Sequence, residues 1–236
     1  MLRSAEILYC FGIKNDMEFI DRILLITHIV IGFISLFLFW FSAAVRKGGN
    51  MHIQIGRLYQ YGMWTVLVTA VLLSLINLIQ GFPVWASFLG YLAFLTGYPL
   101  WYSIAIIRHK KGPTPGMLRI RQFLNIIIFA GGVGMIIWNF LLDNQIPLLL
   151  VFGIIGTISA SSILFRKQSP QKNWLAIHIE GIIGTGIAAH TAFFAFGGSN
   201  YLAHIFTNHL MVIPWVLPTV IGIFMTRWTL RKWALS

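Results

Sequence analysis

The placement of basic residues between apolar runs constrains this chain more than any motif in it. Seven long apolar runs are separated by short gaps, and fourteen of the seventeen Lys and Arg residues fall in alternate gaps. Arg46, Lys47 and Arg57 occupy the first gap, whereas the second, Gln80-Gly81-Phe82-Pro83, has no charge. Arg108, Lys110, Lys111, Arg119 and Arg121 follow, and the next gap holds only Asp143. Arg166, Lys167 and Lys172 precede an uncharged stretch from Gly197 to Asn208, and Arg227, Arg231 and Lys232 close the pattern. Short basic loops stay cytoplasmic because translocation of Lys and Arg is opposed by the insertion machinery and the membrane potential. The expectation is an all-α, polytopic bundle of seven transmembrane helices. Its N-terminus is outside and its C-terminus cytoplasmic, in a plasma membrane of the bacterial inner-membrane kind.

Composition agrees. With 58% apolar and 10% charged residues in 236, the chain cannot cover a soluble core with polar surface. Crossing about 30 Å of hydrocarbon takes about 20 helical residues. The spans drawn are 19–45, 56–79, 82–107, 117–141, 146–165, 174–197 and 209–228. They imply a short external tail over 1–17, one seven-helix domain over 18–230 and a cytoplasmic tail over 231–236. The net charge of +11 is accounted for by the basic loops, and no interleaved basic and aromatic surface points to nucleic acid. The expected partner is the lipid bilayer. Cys10 is the only cysteine, which excludes an internal disulfide and a thiolate metal site. Residues 1–16 lack the apolar core and cleavage site of a signal peptide.

Small residues mark helix-packing faces: Gly131, Gly132 and Gly134; Gly153, Gly156 and Thr157; Gly181, Gly184, Thr185 and Gly186. Pro214, Pro218 and Gly222 recur at four-residue intervals on the last span and predict a bent helix with freed carbonyls.

Few residues offer chemistry. Glu180 is the one carboxylate well inside a span, about 9 Å from the cytoplasmic end of the sixth. An ionisable group at that depth needs a partner, and its roles would be proton relay, ligand binding or a structural pair with Arg57 or His52. The histidines sort by depth. His28 and His190 lie about 7–11 Å beneath the outer surface. His178 lies about four residues into the sixth span, and His52 just before the second. An outer pair (His28, His190) and an inner pair (His52, His178), about 18 Å apart along the sixth span, have the layout of two stacked b-type haems with axial imidazoles. Against this, twelve residues turn a helix by about 120° beyond whole turns, so His178 and His190 do not share a face. The structural alternative is an interhelical hydrogen bond at each histidine, worth about 1 kcal/mol or less.

A metal centre is a further option. His178, Glu180 and His52 form one donor set, though His178 and Glu180 point about 160° apart. His28, His190, His204 and His209 form another. Tyr91, Tyr98, Trp101 and Tyr102 on the third span would either pack or line a site for a flat ligand such as a quinone. The chain has no Walker phosphate loop, no mid-depth lysine for a retinal Schiff base, no serially spaced voltage-sensing arginines and no serine-nucleophile elbow.

The stretch THIVIGFISLFLFWFSAAVRKGGNMHIQIGRLYQYGM resembles the opening of a family of uncharacterised bacterial multi-pass membrane proteins. The matching residues are His28, Gly32, Lys47-Gly48, His52, Gly56-Arg57 and Tyr59; Ile53 departs from the family's arginine. A second segment, AIHIEGIIGTGIAAHTAFFAF, is similar through His178 and Thr191-Ala192-Phe193, whereas His190 is particular to this chain. The resemblance covers about a third of the chain. It carries no activity, and by analogy of fold alone its histidine-bearing spans look like those of dihaem cytochrome b and ferric-reductase-like proteins.

The leading expectation is therefore transmembrane electron transfer by haem b on His28/His190, His52/His178 or both, with Glu180 tuning potential or moving a proton and a quinone or redox protein as partner. The alternatives are a proton-coupled transporter or small-ligand-binding protein centred on Glu180, and a metal-dependent membrane hydrolase. The topology has its own test: a reporter fused within the Arg108–Arg121 loop will read cytoplasmic, and one fused in the Gln80–Pro83 gap will read external.

Overall fold

In hydrocarbon a backbone N–H or C=O has no water to bond, so each segment must satisfy its own backbone, and helices do so. The computed structural model describes residues 13–165, 173–198, 202 and 212–233, and every regular element among them is helical. The elements are α1 (Ile13–Ala44), α2 (Asn50–Ile79), α3 (Pro83–Ala105), a 3-10 turn (Ile106–Arg108), α4 (Pro115–Leu141), α5 (Pro147–Leu164), α6 (Trp174–Ala192), a π-helical segment (Phe193–Gly197) and α7 (Val212–Lys232). Seven helices among the described residues are long and apolar enough to cross a membrane. Most boundaries fall within a few residues of those expected. The main differences are α1 and α2, which begin six residues before the expected 19 and 56, so that α1 starts within the expected external tail and His52 stands on the first turn of α2. The helix starts there because Gly48 (φ 75°) and the extended Gly49 turn the chain, and nothing in Asn50–Ile55 opposes helix.

The chain divides into two compact units, Met1–Ala93 and Phe94–Ser236, with the boundary inside α3. In the first unit α1 packs against α2. Gly62 sits so close to the Ser35 hydroxyl that a Cβ there would overlap it, and Phe39 meets Tyr59 at 5.9 Å between ring centroids. Lys47 Nζ donates to the carbonyls of Ser42 (3.0 Å) and Ala43 (2.6 Å), satisfying the end of α1. A Schellman turn ends α2: Gly81 (φ 86°) donates to Leu78 O at 3.2 Å and Phe82 to Asn77 O at 2.8 Å. Pro83, at the start of α3, has no N–H to leave unpaired. The uncharged gap expected outside is thus a complete helix stop.

In the second unit Pro99 interrupts α3 and the 3-10 turn closes it. Thr114 caps α4 by accepting from Met117 N, and Asn173 caps α6 by accepting from Leu175 N. Three helix pairs carry the packing, each at a glycine. A Cβ added to Gly153 of α5 would come within 2.9 Å of the Gly132 carbonyl oxygen of α4. A Cβ on Gly222 of α7 would fall on Ile187 of α6, and one on Gly181 of α6 would fall on Ser103 of α3 and 2.8 Å from the Pro99 carbonyl oxygen. Such approaches suit helices whose association gains little from burying apolar area, because lipid is equally apolar. The residue distribution agrees: Phe37, Phe123, Phe140 and Phe224 are exposed, while Ser35, Ser103, Asn125, Asn139, Thr185 and Thr191 are buried.

The glycine contacts differ enough to be tested. Gly181→Ala will lower the thermal stability of the purified protein by the equivalent of about 1–3 kcal/mol, the usual cost of overpacking. Gly134→Ala, which meets nothing within 4 Å, will leave it unchanged or raise it slightly.

Candidate functional site

Four histidines were expected to hold the chemistry, and each ring has a defined partner at Nδ1. His28 on α1 lies 2.9 Å from Thr69 Oγ1 on α2. The single Thr69 hydroxyl proton is directed to the backbone carbonyls of Thr65 (2.8 Å) and Val66 (3.0 Å), so Thr69 accepts from His28 Nδ1–H. His52 Nδ1 lies 3.2 Å from the Ser42 carbonyl oxygen at the end of α1, with Ser42 Oγ at 3.4 Å. His178 Nδ1 reaches the Ser103 carbonyl oxygen across the α3–α6 contact at 3.0 Å. His190 Nδ1 bonds back to the Gly186 carbonyl oxygen one turn earlier, at 2.7 Å. A carbonyl can only accept, so all four rings carry the proton on Nδ1 and place the lone pair of the neutral ring on Nε2.

Local structure explains why these acceptors are available. Ser103 stands where α3 tightens into the 3-10 turn, and its carbonyl is turned to His178. Ser42 is in the last turn of α1, where carbonyls have no helical donor. Three of the four bonds cross between helices, so the structural role expected of a membrane histidine is realised at His28, His52 and His178. The same bonds fix tautomer and ring orientation, as a histidine ligand requires of the groups behind it.

His28 and His52 belong to the first unit, and His178 and His190 to the second. His52 pairs with Ser42, fourteen residues along α1 from His28, or about 21 Å. His178 and His190 are twelve residues apart on α6, about 18 Å. Neither unit by itself brings two of these rings together; each holds one toward either end.

Glu180 is partly buried on α6, two residues beyond His178. Among the described residues, no group of three or more His, Cys, Asp or Glu side chains is gathered to hold a metal ion. His204 and His209, invoked for an outer metal set, lie outside the described residues. The aromatic group on α3 is realised in part. Tyr98 and Tyr102 stack at 6.0 Å with their planes 19° apart, and Trp101 tilts against Tyr102 at 5.9 Å.

Arg121 went unremarked among the loop charges, yet it stands six residues inside α4. Its guanidinium carbon lies 5.5 Å from the centre of the Tyr102 ring. The available signal was its spacing: Arg119, two residues earlier and on the opposite face, is exposed, whereas Arg121 is partly buried. Thr69 and Ser103 had no comparable signal, since they lie 41 and 75 residues from the histidines that they hold.

These features define a class: a protein whose described residues form seven membrane-length helices, with a polar and glycine-rich packing interior and histidines anchored through Nδ1. Searches against protein-family models, curated proteins and solved structures found no match. The family resemblance therefore has the support of its motif residues alone.

The Thr69 assignment predicts a measurable tautomer. In ring-15N spectra His28 will show a protonated Nδ1, and Thr69→Val will disturb that signal while Thr69→Ser preserves it. The accompanying loss of stability will be about 1 kcal/mol or less, the usual size of such a bond in a membrane protein.

Proposed function

We propose that this chain is a multi-pass protein of a bacterial inner membrane, N-terminus outside and C-terminus cytoplasmic, that carries electrons on b-type haem. The residues that would hold the haem are drawn from His28, His52, His178 and His190. The observation carrying the reading is the shared Nδ1 anchoring of all four rings. A ring whose Nδ1–H is already bonded presents the lone pair of Nε2 to a metal in a fixed direction. The resemblance to a histidine-bearing membrane family, carried by His28, His52 and His178, points the same way.

Haem, when bound, would supply a one-electron centre. The chain's residues supply the rest. Thr69 and the carbonyls of Ser42, Ser103 and Gly186 hold the Nδ1 protons and make the imidazoles stronger donors. The apolar helices would keep water away, and the ligating imidazoles with their burial would set the potential. Glu180, two residues from His178 on α6, would exchange a proton as charge at that end of the helix changes. A quinone or a redox protein is the partner that this reading requires.

A second reading has its own observation. Pro218 lies inside α7, where it removes a helical N–H and releases the Pro214 carbonyl. The buried Thr191 hydroxyl and Trp215 indole N–H of the α6–α7 pair have no hydrogen-bond partner. Interrupted helices with freed polar groups are how many transporters build a site. In that case Glu180 is the proton-coupled residue and the histidines are structural.

A dithionite-reduced minus oxidised visible spectrum of the purified protein separates the two. Electron transfer predicts a sharp b-type α-band at one or two haems per chain. It also predicts loss of a haem from each histidine→Ala variant that removes an axial ligand, with the fold retained. A colourless protein that takes up protons with a solute would sink the haem reading and establish the transport one.

A further inference from the structure

We infer that Arg121, with the Tyr102 hydroxyl as a second donor, binds the phosphate of an anionic phospholipid at the end of the molecule that carries the Arg108–Arg121 loop. The site belongs wholly to the second unit and does not depend on haem.

The argument begins with depth. Six residues place Arg121 about 9 Å along α4 from Pro115, where a guanidinium is costly unless its charge is met. The contacts that meet it are aromatic and hydroxyl. The Tyr102 ring lies under the guanidinium, and the Tyr98 hydroxyl is hydrogen-bonded to the side chains of Arg121 and Asn125. None of these is a carboxylate. Asn125, 1% exposed, clamps the helix by donating from Nδ2 to the Arg121 carbonyl oxygen at 2.8 Å.

Two donors in the same cluster have no partner. One is the Tyr102 hydroxyl, on a side chain 7% exposed; the other is Arg121 Nε. The Arg121 side chain is partly exposed, so an oxyanion can approach it. Guanidinium binds phosphate through a planar fork, and a phenol hydroxyl beside it adds a neutral donor. The phosphate of a lipid head is the anion that reaches this depth, because its acyl chains hold it at the bilayer surface. The flanking charges favour it: Lys110 lies 5.1 Å over the Trp174 ring, and Arg108 and Lys111 flank it in sequence.

The test is native mass spectrometry of the detergent-purified protein titrated with phosphatidylglycerol, phosphatidylcholine and inorganic phosphate at constant ionic strength. The expected result is one saturable phosphatidylglycerol and weaker phosphatidylcholine. Affinity for phosphatidylglycerol should fall about tenfold in Arg121→Gln and by less in Tyr102→Phe, and stay unchanged in Arg119→Gln. Inorganic phosphate that competes with the same dependence on Arg121 would support the oxyanion site and assign it to a soluble source. Equal binding by wild type and Arg121→Gln would overturn the inference. So would an equal loss in Arg119→Gln, which would mean a diffuse basic surface. Should Arg121→Gln fail to fold, Arg121→Lys keeps the charge without the fork, and Tyr102→Phe keeps the ring. Full affinity in both would also overturn it.

Discussion

In a hydrocarbon solvent a polar group must find its partner inside the protein, and this molecule is organised around that demand. The backbone answers with helices, and helix ends are closed by the Gly81 Schellman turn, the Lys47 ammonium on the Ser42 and Ala43 carbonyls, and the Thr114 and Asn173 caps. Side chains answer in the same way. Ser35, Thr65, Thr69, Ser103, Thr185 and Thr226 return their hydroxyl protons to carbonyls of their own helices. Histidines, with a donor on a longer arm, bond across to a neighbouring helix or back along their own.

That demand also explains why the same residues suit both a structural and a redox role. A histidine that only ties two helices together needs one nitrogen. A histidine that also serves a metal needs the same bond, because it fixes the tautomer and aims the other nitrogen. The tie at His28, His52, His178 and His190 is thus consistent with either, and the spectrum of the purified protein decides between them. Arg121 and Tyr102 stand apart from the pattern. They form one cluster in which both the Tyr102 hydroxyl and Arg121 Nε lack a hydrogen-bond partner beside a guanidinium, which is why a ligand is assigned there.

Packing follows from the second property of the solvent. Lipid is as apolar as leucine, so helices gain little by burying large side chains against each other and more by bringing backbones close. Gly62 against Ser35, Gly153 against Gly132, Gly181 against Pro99 and Ser103, and Gly222 against Ile187 are the crossings that result. Several phenylalanines are accordingly exposed, at Phe37, Phe123, Phe140 and Phe224. The close crossing at Gly181 serves the site directly, since it brings α6 near enough to α3 for His178 to reach the Ser103 carbonyl.

The sequence by itself determined the number, order and approximate limits of the helices, because apolar length and glycine and proline stops are local properties that one chain displays in full. It also carries an expected depth for Glu180 and the histidines, since position along a span is a count of residues at a known rise. What only the tertiary structure decided is who meets whom. Thr69 and Ser103 became the partners of His28 and His178 through helix contacts spanning 41 and 75 residues, for which no local pattern exists. Arg121, which the charge pattern groups with its neighbours in a loop, proved to be partly buried beneath Tyr98 and Tyr102 because α4 starts at Pro115 and turns that one arginine inward. Charge counting reads the side of the membrane; only the rotation of a packed helix reads the face.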